Sequence, residues 1–389
     1  MRCLSYFCWL VTLSTATIFE NGRERETHFV DTKISSITSN STGWKTFGPN
    51  ATELSYKGRW DSNHVSWWAA PGLKFAFTGQ NLAITFGPQT TDTVLIAYRL
   101  SGLDWQLTNL TTGATHHLIR PTTPGLNATL PTQLPLTFEL RVTNWGYGVQ
   151  ISGIHLSPNA TLIKVPDYGR RIEFIGDSLT SGYSATYEAF SGFGYNIGAG
   201  LGDTEFSITA FPGICLHDAE CWGNPRGQEY QWFRTSDTSG RAQQAYGEEA
   251  PLWDFGSQPA ADIVFINIGT NDANSHNPVT PAQYLQSYID FVPKVHEVYP
   301  RAQIVLCSLW GGFGQSGNTY KQGPAFEREI YEVYKTYEGT GYWHPTDVGH
   351  IKIAAHVIQY IRLKFGWELA ATGPEVQHET LYWNDEVRY

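Results

Sequence analysis

Four short stretches, far apart in a chain of 389 residues, carry groups suited to acyl transfer. Gly176-Asp177-Ser178-Leu179 directly follows the apolar run RIEFIG. A Ser on a strand-to-helix turn has an exposed hydroxyl, and its own N–H points toward whatever attaches to that hydroxyl. The same Ser would serve equally well as a helix N-cap. Phe211-Pro212-Gly213 follows the run SITA. A Gly at a strand end lets a substrate approach the backbone, whose N–H can then donate to an oxyanion, and it is also an ordinary turn residue. Gly269-Thr270-Asn271-Asp272 follows DIVFINI. The Asn271 amide can aim at the same point, where one missing donor typically costs about 3–4 kcal/mol of transition-state stabilisation. The competing reading is a helix cap by Asn271 or Asp272. Last comes Trp343-His344-Pro345. Pro345 pre-sets a helix start, and a neutral His344 just before it can take a proton from Ser178 and later return it to a leaving group.

Such residues must be held at strand ends, and the surrounding pattern supplies strands. RIEFIG, SITAFPG, DIVFINIG and QIVLCSLWGG are short apolar runs that end in Gly or Pro. Helix-compatible stretches separate them: PAQYLQSYIDFVPKVHEVY, FEREIYEVYKTY and DVGHIKIAAHVIQYIRLKF. In the last, Ile353, Ala354, Val357, Ile358 and Ile361 share a helix face. Alternating strands and helices predict an α/β domain with a parallel sheet and helices on both sides, its functional residues at the carboxyl ends of the strands. Residues 31–165 differ. KFAFTG, LAITFG, TVLIAYRL, LTFELRVTN and GVQISGIHL are β-type runs between Gly, Pro, Asn and Thr clusters, which predicts an antiparallel sandwich. No internal repeat or low-complexity tract is seen, and the stretch from about Gly373 to Tyr389 has no clear period.

Composition agrees with two units. Residues 31–165 hold nine Lys/Arg and six Asp/Glu, a net +3, while 166–389 hold 14 and 27, a net −13. Hydrophobic residues at 41% and charged residues at 16% give a large core and exclude a disordered chain. The net charge of −10 argues against nucleic acid and anionic membranes as partners. The first residues, MRCLSYFCWLVTLSTAT, read as a secretory signal peptide over 1–16, with an uncleaved anchor as the alternative. Sequons at Asn40, Asn50, Asn109, Asn127 and Asn159 all precede residue 166, as in a glycosylated outer domain of a secreted, extracellular protein. Cys215 and Cys221 are close enough to close a small disulfide loop in an oxidising compartment, whereas Cys307, within IVLCSLW, reads as a buried free thiol.

The ordered set Ser178, Gly213, Asn271 and His344 resembles the blocks of the SGNH (GDSL) hydrolase superfamily over roughly residues 168–367, most specifically in RIEFIGDSLTSGYSA and HPTDVGHIKIAAHVIQYIR. That likeness implies Ser178 as nucleophile, His344 as base, an oxyanion hole from the Ser178 and Gly213 N–H groups and the Asn271 amide, and Asp177 as a brace for the nucleophile turn. The sandwich placed directly before RIEFIGDS, with GRWD, VSWWAAPGLKFAFTG and GVQISGIHL, is similar to carbohydrate esterase family 2, where a jelly roll precedes the hydrolase domain. The resemblance implies a jelly-roll domain over 31–165, a three-layer hydrolase domain over 168–370, an extension over 371–389, and removal of acetyl groups from xylan, glucomannan or related polysaccharides. Alternatives are a lipase or thioesterase acting on other acyl esters, and a catalytically inactive carbohydrate-binding protein.

One departure concerns the base. GTGYWHP puts Gly341 and Tyr342 where a carboxylate could orient His344, so a Ser–His dyad with a backbone carbonyl on the imidazole is implied by the family-2 likeness. Asp347-Val-Gly-His350 offers a literal D-x-x-H, but the family pattern HP-x-x-x-G-H favours His344 over His350. Tyr183, Trp222, Trp310, Tyr342 and Trp343 lie near these blocks and could stack on a sugar ring or pack the core; Trp310, before Gly311-Gly312, is the preferred platform. His116-His117 lacks suitably spaced metal partners, no phosphate or dinucleotide fingerprint occurs, and neither metal nor cofactor is expected. A monomer acting on acetylated polysaccharide or oligosaccharide, without nucleic acid or membrane partners, is expected.

Overall fold

The computed structural model describes residues 19–20, 23–24, 29–38, 42–123, 126, 134–274, 276–277, 279–307, 309, 313–316, 319–322, 326–337 and 347–367. The segment read as a signal peptide, Asn40, Asn127, Trp310, Tyr342, Trp343, His344 and the residues from 371 onward lie outside them.

Alternation builds the first half. Along Leu136–Val142, Leu136, Phe138, Leu140 and Val142 are buried, while Thr137, Glu139 and Arg141 face outward. This is the period-2 pattern of a sheet with one face in the core. Two antiparallel sheets result. In one, Gln106–Asn109, Leu95–Leu100, Leu136–Val142, Gly72–Phe77 and Leu162–Ile163 follow in order, with Ser55–Lys57 also on Gly72–Phe77. In the other, Lys33–Ile34, Thr115–Ile119, Leu82–Phe86, Val149–Leu156 and Lys45–Phe47 follow in order. Phe75, Phe77, Phe86, Phe138, Ile84 and Ile154 fill the space between them. Each such side chain, fully buried, stabilises the fold by about 1.5–3 kcal/mol. This is the antiparallel sandwich expected from the residue pattern, jelly-roll-like as the family likeness implied.

The second half has a parallel sheet. We label its strands β1 (Arg170–Gly176), β2 (Thr204–Ala210), β3 (Ile263–Asn267) and β4 (Gln303–Leu306). Their spatial order is β2-β1-β3-β4. Both faces are covered, which is why these strands read as continuous apolar runs. Ile172, Phe174, Ile263 and Phe265 join a core with helices α1 (Phe193–Leu201) and α4 (Asp347–Phe365). Ile175, Val264 and Ile266 point the other way, into a core with α2 (Pro281–Val298) and α3 (Glu327–Tyr337). Helix α2 starts on a capping box: Gln283 N–H donates to Thr280 Oγ1, and Thr280 N–H donates to Gln283 Oε1. Among the described residues, no helix is long and apolar enough to cross a membrane.

The two halves share buried contacts. Ala69 N–H donates to Ile208 O on β2 at 3.2 Å, Trp68 enters one core of the parallel-sheet domain, and Ala69 and Ala70 enter the other. Arg59 Nη2 reaches Glu173 Oε1 on β1 at 3.0 Å with both side chains buried, and Lys57 Nζ reaches Glu205 Oε1 on β2 at 2.6 Å. Reading these runs as a sandwich and a separate sheet did not anticipate charged side chains buried at the join.

Candidate active site

Three of the four singled-out segments lie at neighbouring strand ends. Gly176, the last residue of β1, pairs with Ala210 of β2 on one side and Asn267 of β3 on the other. The loops that follow, bearing Ser178, Gly213 and Asn271, therefore leave the sheet side by side at its carboxyl edge. This is the edge where loops of such sheets converge on ligands.

The Ser178 loop is tight. A Cβ at Gly176 would meet Thr180 Oγ1 at 2.0 Å and Asn267 O at 2.6 Å, so only Gly lets the turn press on β3. Ser178 itself is half-buried. Its carbonyl accepts from Tyr183 N–H at 2.9 Å and Ser181 Oγ–H at 3.2 Å. Asp177 lies beneath, wholly buried, and Leu179 N–H donates to its Oδ1 at 3.0 Å. Burial pushes the Asp177 carboxyl up to about 7, and the charge of Asp272 pushes the same way. The Asp177 side chain thus closes the turn from inside and faces away from solvent.

Gly213 has φ +81°, a left-handed conformation, and a Cβ there would come within 2.9 Å of Trp222 Cβ. Both facts require Gly. The loop beyond it is pinned by the Cys215–Cys221 disulfide, by the Cys221 and Asn224 backbones bonded to each other, and by Asn224 Nδ2 donating to Pro212 O at 3.2 Å. Trp222, 56% exposed, stands on this loop with its ring 5.4 Å from that of His276.

The Asn271 loop grips the Gly213 loop directly. Asn271 Nδ2 donates to Ile214 O at 2.8 Å, which uses one amide hydrogen and leaves the other available. Asn277 Nδ2 donates to Asn271 O at 2.7 Å. Asp272, buried, accepts the N–H groups of Leu216 and His217 at 2.8 and 2.9 Å. Burial pushes this carboxyl up to about 6, and the two N–H groups oppose that rise. The residue read as a possible helix cap instead ties two loops together.

A further wall comes from the sandwich. The Trp145 ring packs edge-on against Phe211, with centroids 5.2 Å apart, and lies 5.9 Å from Tyr183. A Cβ at Gly146 would meet the Phe211 ring at 2.6 Å. Arg241 Nη2 donates to Gly146 O at 2.7 Å and its guanidinium covers the Tyr147 ring at 4.2 Å. Asn144 Nδ2 donates to Glu188 Oε2 at 2.8 Å, and burial pushes Glu188 up to about 7. Residues 144–147 therefore sit against the loops of Ser178 and Gly213. Contacts between residues so distant in sequence leave no local pattern to read.

The other singled-out residues lie elsewhere. His344, Trp310, Tyr342 and Trp343 are outside the described residues. His350 falls within α4, three residues past its start. Cys307 is buried and lies outside any disulfide. His116 Nε2 accepts from Thr111 N–H at 3.0 Å inside the sandwich, and burial pushes its pKa down. Asn50 and Asn159 are exposed, whereas Asn109 Nδ2, the atom a glycan would occupy, donates to Phe29 O at 3.2 Å.

Residues 174–347 match the model of the GDSL-like Lipase/Acylhydrolase family. The cellulase/esterase CelE of Acetivibrio thermocellus is 25% identical over 257 residues, which are 56% of this chain and 28% of that protein. The chain thus spans under a third of the length of the curated relative it matches. A family two carbohydrate esterase from Cellvibrio japonicus superposes with a TM-score of 0.67 at 18% identity, covering 83% of this chain and 98% of that one. An acetyl xylan esterase from the rumen bacterium Butyrivibrio proteoclasticus gives 0.64 at 18% identity, covering 84% and 100%. At these identities the likeness is one of fold.

Proposed function

We propose, for a chain that matches the GDSL-like Lipase/Acylhydrolase family model over residues 174–347 and has the fold of the family-two carbohydrate esterases, a serine esterase activity that removes acetyl groups from O-acetylated polysaccharide. One observation supports this most strongly: the loops of Ser178, Gly213 and Asn271 leave three adjacent strands at the same edge, and Asn271 is bonded to the residue after Gly213. In this reading Ser178 Oγ attacks the acetyl carbonyl while His344 takes its proton. The oxyanion receives the N–H groups of Ser178 and Gly213 and the free amide hydrogen of Asn271. His344 then protonates the departing sugar oxygen, and water activated by the same imidazole releases acetate from the acetyl-enzyme. By the likeness to family two, a backbone carbonyl orients the imidazole.

The sugar would lie over the exposed Trp222, whose flat ring fits the C–H face of a pyranose. The Cys215–Cys221 disulfide beside it suits an oxidising compartment, in keeping with a secreted glycoprotein. The deciding experiment measures acetate release from acetylated xylan, and hydrolysis of 4-nitrophenyl acetate and octanoate, for the wild type and Ser178→Ala. We expect acetyl esters to be preferred and the variant to keep under a few percent of the rate. Retained activity in Ser178→Ala would overturn the nucleophile. A rate rising from acetyl to octanoyl would overturn the acyl group, and glycan binding without turnover would leave a binding protein in place of an enzyme.

A further inference from the structure

A second cleft lies far from the loops just described. Its volume is about 390 Å³, and it opens where the outward face of the sandwich meets α1 and β2. Glu139 stands directly opposite Lys74 on one neighbouring strand and Arg99 on the other, and pairs with both, at 3.3 and 2.9 Å. One step along the same face, Arg141 stands opposite Gly72 and Ala97. Trp105 and Tyr168 flank this ladder: the Arg99 guanidinium covers Trp105 at 4.3 Å, and Lys74 Nζ covers Tyr168 at 4.8 Å. Thr204 and Glu205 border the cleft from the hydrolase side.

Its position separates it from Ser178. Thr204 pairs with Arg170, at the amino end of β1, whereas Ser178 follows the carboxyl end. Seven residues of strand at about 3.3 Å each put roughly 20 Å between the two ends.

The charge in the cleft does not balance. Lys57, Lys74, Arg99 and Arg141 line it against Glu139 and Glu205. Lys57, Lys74 and Arg99 each have a carboxylate partner. Arg141 does not. Its guanidinium lies over the Phe206 ring at 4.4 Å and donates one hydrogen bond, to Ala70 O at 3.2 Å. A guanidinium has five N–H donors in a planar fork that matches a carboxylate. A half-buried Arg with most donors unused, beside two aromatic rings, presents what a sugar acid needs: a fork for the carboxylate and flat faces for the ring. A volume near 400 Å³ lies in the ordinary range for small-ligand sites.

We infer that this seam between the two domains binds an anionic sugar unit, a uronate, with Arg141 holding the carboxylate and Trp105 stacking on the ring. The cleft would then anchor an acidic branch of a polysaccharide at a distance from the reacting ester. The choice of a sugar acid rests on the polysaccharide substrate proposed above, whereas the cleft and its guanidinium do not.

The test is calorimetric titration of the full chain with three probes: a xylotetraose bearing one glucuronic acid unit, its methyl ester, and plain xylotetraose. We expect the acid to bind at least about tenfold more tightly than the other two, and more weakly as salt is raised. Arg141→Met, which keeps the stem over Phe206, should lower affinity for the acid to that of the ester, with thermal unfolding of the variant as the check on folding. If Arg141→Met does not fold, Trp105→Ala takes its place and should weaken all binding at the cleft. Equal affinities for acid, ester and neutral probe would overturn the inference. So would acid binding that survives the Arg141 or Trp105 change, or no binding of the acid at all.

Discussion

Replacing Arg59 by Met tests whether the two halves form one cooperative unit. Arg59 is buried and donates to Glu173 Oε1 at 3.0 Å and to the carbonyls of Trp232 and Arg234. It also lies over the rings of Trp232, Trp253 and Phe255 at 5.1–5.5 Å. Burial pushes its pKa down and the Glu173 charge opposes that shift. Met keeps most of the apolar stem contact but leaves Glu173 buried without its counter-ion. Breaking one side of a buried pair costs about 3–5 kcal/mol. For 389 residues the unfolding entropy is about 0.8 kcal/mol per kelvin, from about 2.1 cal/mol/K per residue, so the melting temperature should fall by about 4–6 °C.

Scanning calorimetry reads the effect, and adding Glu173→Gln makes it specific. The Gln carbonyl can still accept from Thr209 Oγ1 and Trp232 Nε1, which now bond Glu173 at 2.7 and 3.0 Å. The charge, however, is gone, and the double variant should recover about 1–3 kcal/mol of the loss. A single variant that melts within 1 °C of the wild type would refute the reasoning. So would a double variant no better than Arg59→Met.

Two further outcomes follow from the geometry. Asn271→Ala should lower kcat for 4-nitrophenyl acetate about 10²–10³-fold with little change in KM, since the free amide hydrogen would act in the transition state; a loss below fivefold would remove Asn271 from the oxyanion site. Stability should also depend on pH in a defined direction. Burial raises Asp177 and Glu188 to about 7 and Asp272 and Asp237 to about 6, so the folded state binds more protons than the unfolded chain between about pH 4 and 7. These groups make stability fall as pH rises through that window. Asp167, Glu139 and Asp218 are held low by nearby cations despite burial, and their contribution is lost only as pH falls through their depressed values. The melting temperature should therefore peak near pH 4, at the lower edge of that window, and be lower at pH 7.5; a maximum at pH 8 would contradict the assignment.

What was legible in the sequence was what local periodicity encodes. Strand β1 is buried on both faces, so RIEFIG reads as an unbroken apolar run; Leu136–Val142 is buried on one face, so it alternates. Gly176 and Gly213 could be singled out because each ends a strand run, and the φ of +81° and the close approach of Trp222 give Gly213 a steric reason as well. Charge did not read the same way. Glu173 lies inside β1 and Arg59 inside GRWD, and composition counts both as surface residues, yet they meet in the interior 114 positions apart. Asp272 looked like a cap because a short acidic residue after a strand usually is one. Its two backbone donors, Leu216 and His217, come from another loop, and no spacing rule reaches them.

The same long-range contacts decide what the sandwich is for. Were it only an appended module, the join would resemble a linker with few buried groups. Instead, Trp68, Ala69 and Ala70 fill cores of the parallel-sheet domain, and Arg59 and Lys57 neutralise carboxylates on β1 and β2. Removing residues 31–165 would leave Glu173 and Glu205 without those partners and expose the surface under Trp68. The strand that leads to Ser178 would then start from a frustrated interior. Meanwhile Trp145 and Gly146 press on Phe211, two residues before Gly213. A sandwich that both stabilises the sheet and packs on the wall beside Gly213 is built into the candidate site rather than appended to it.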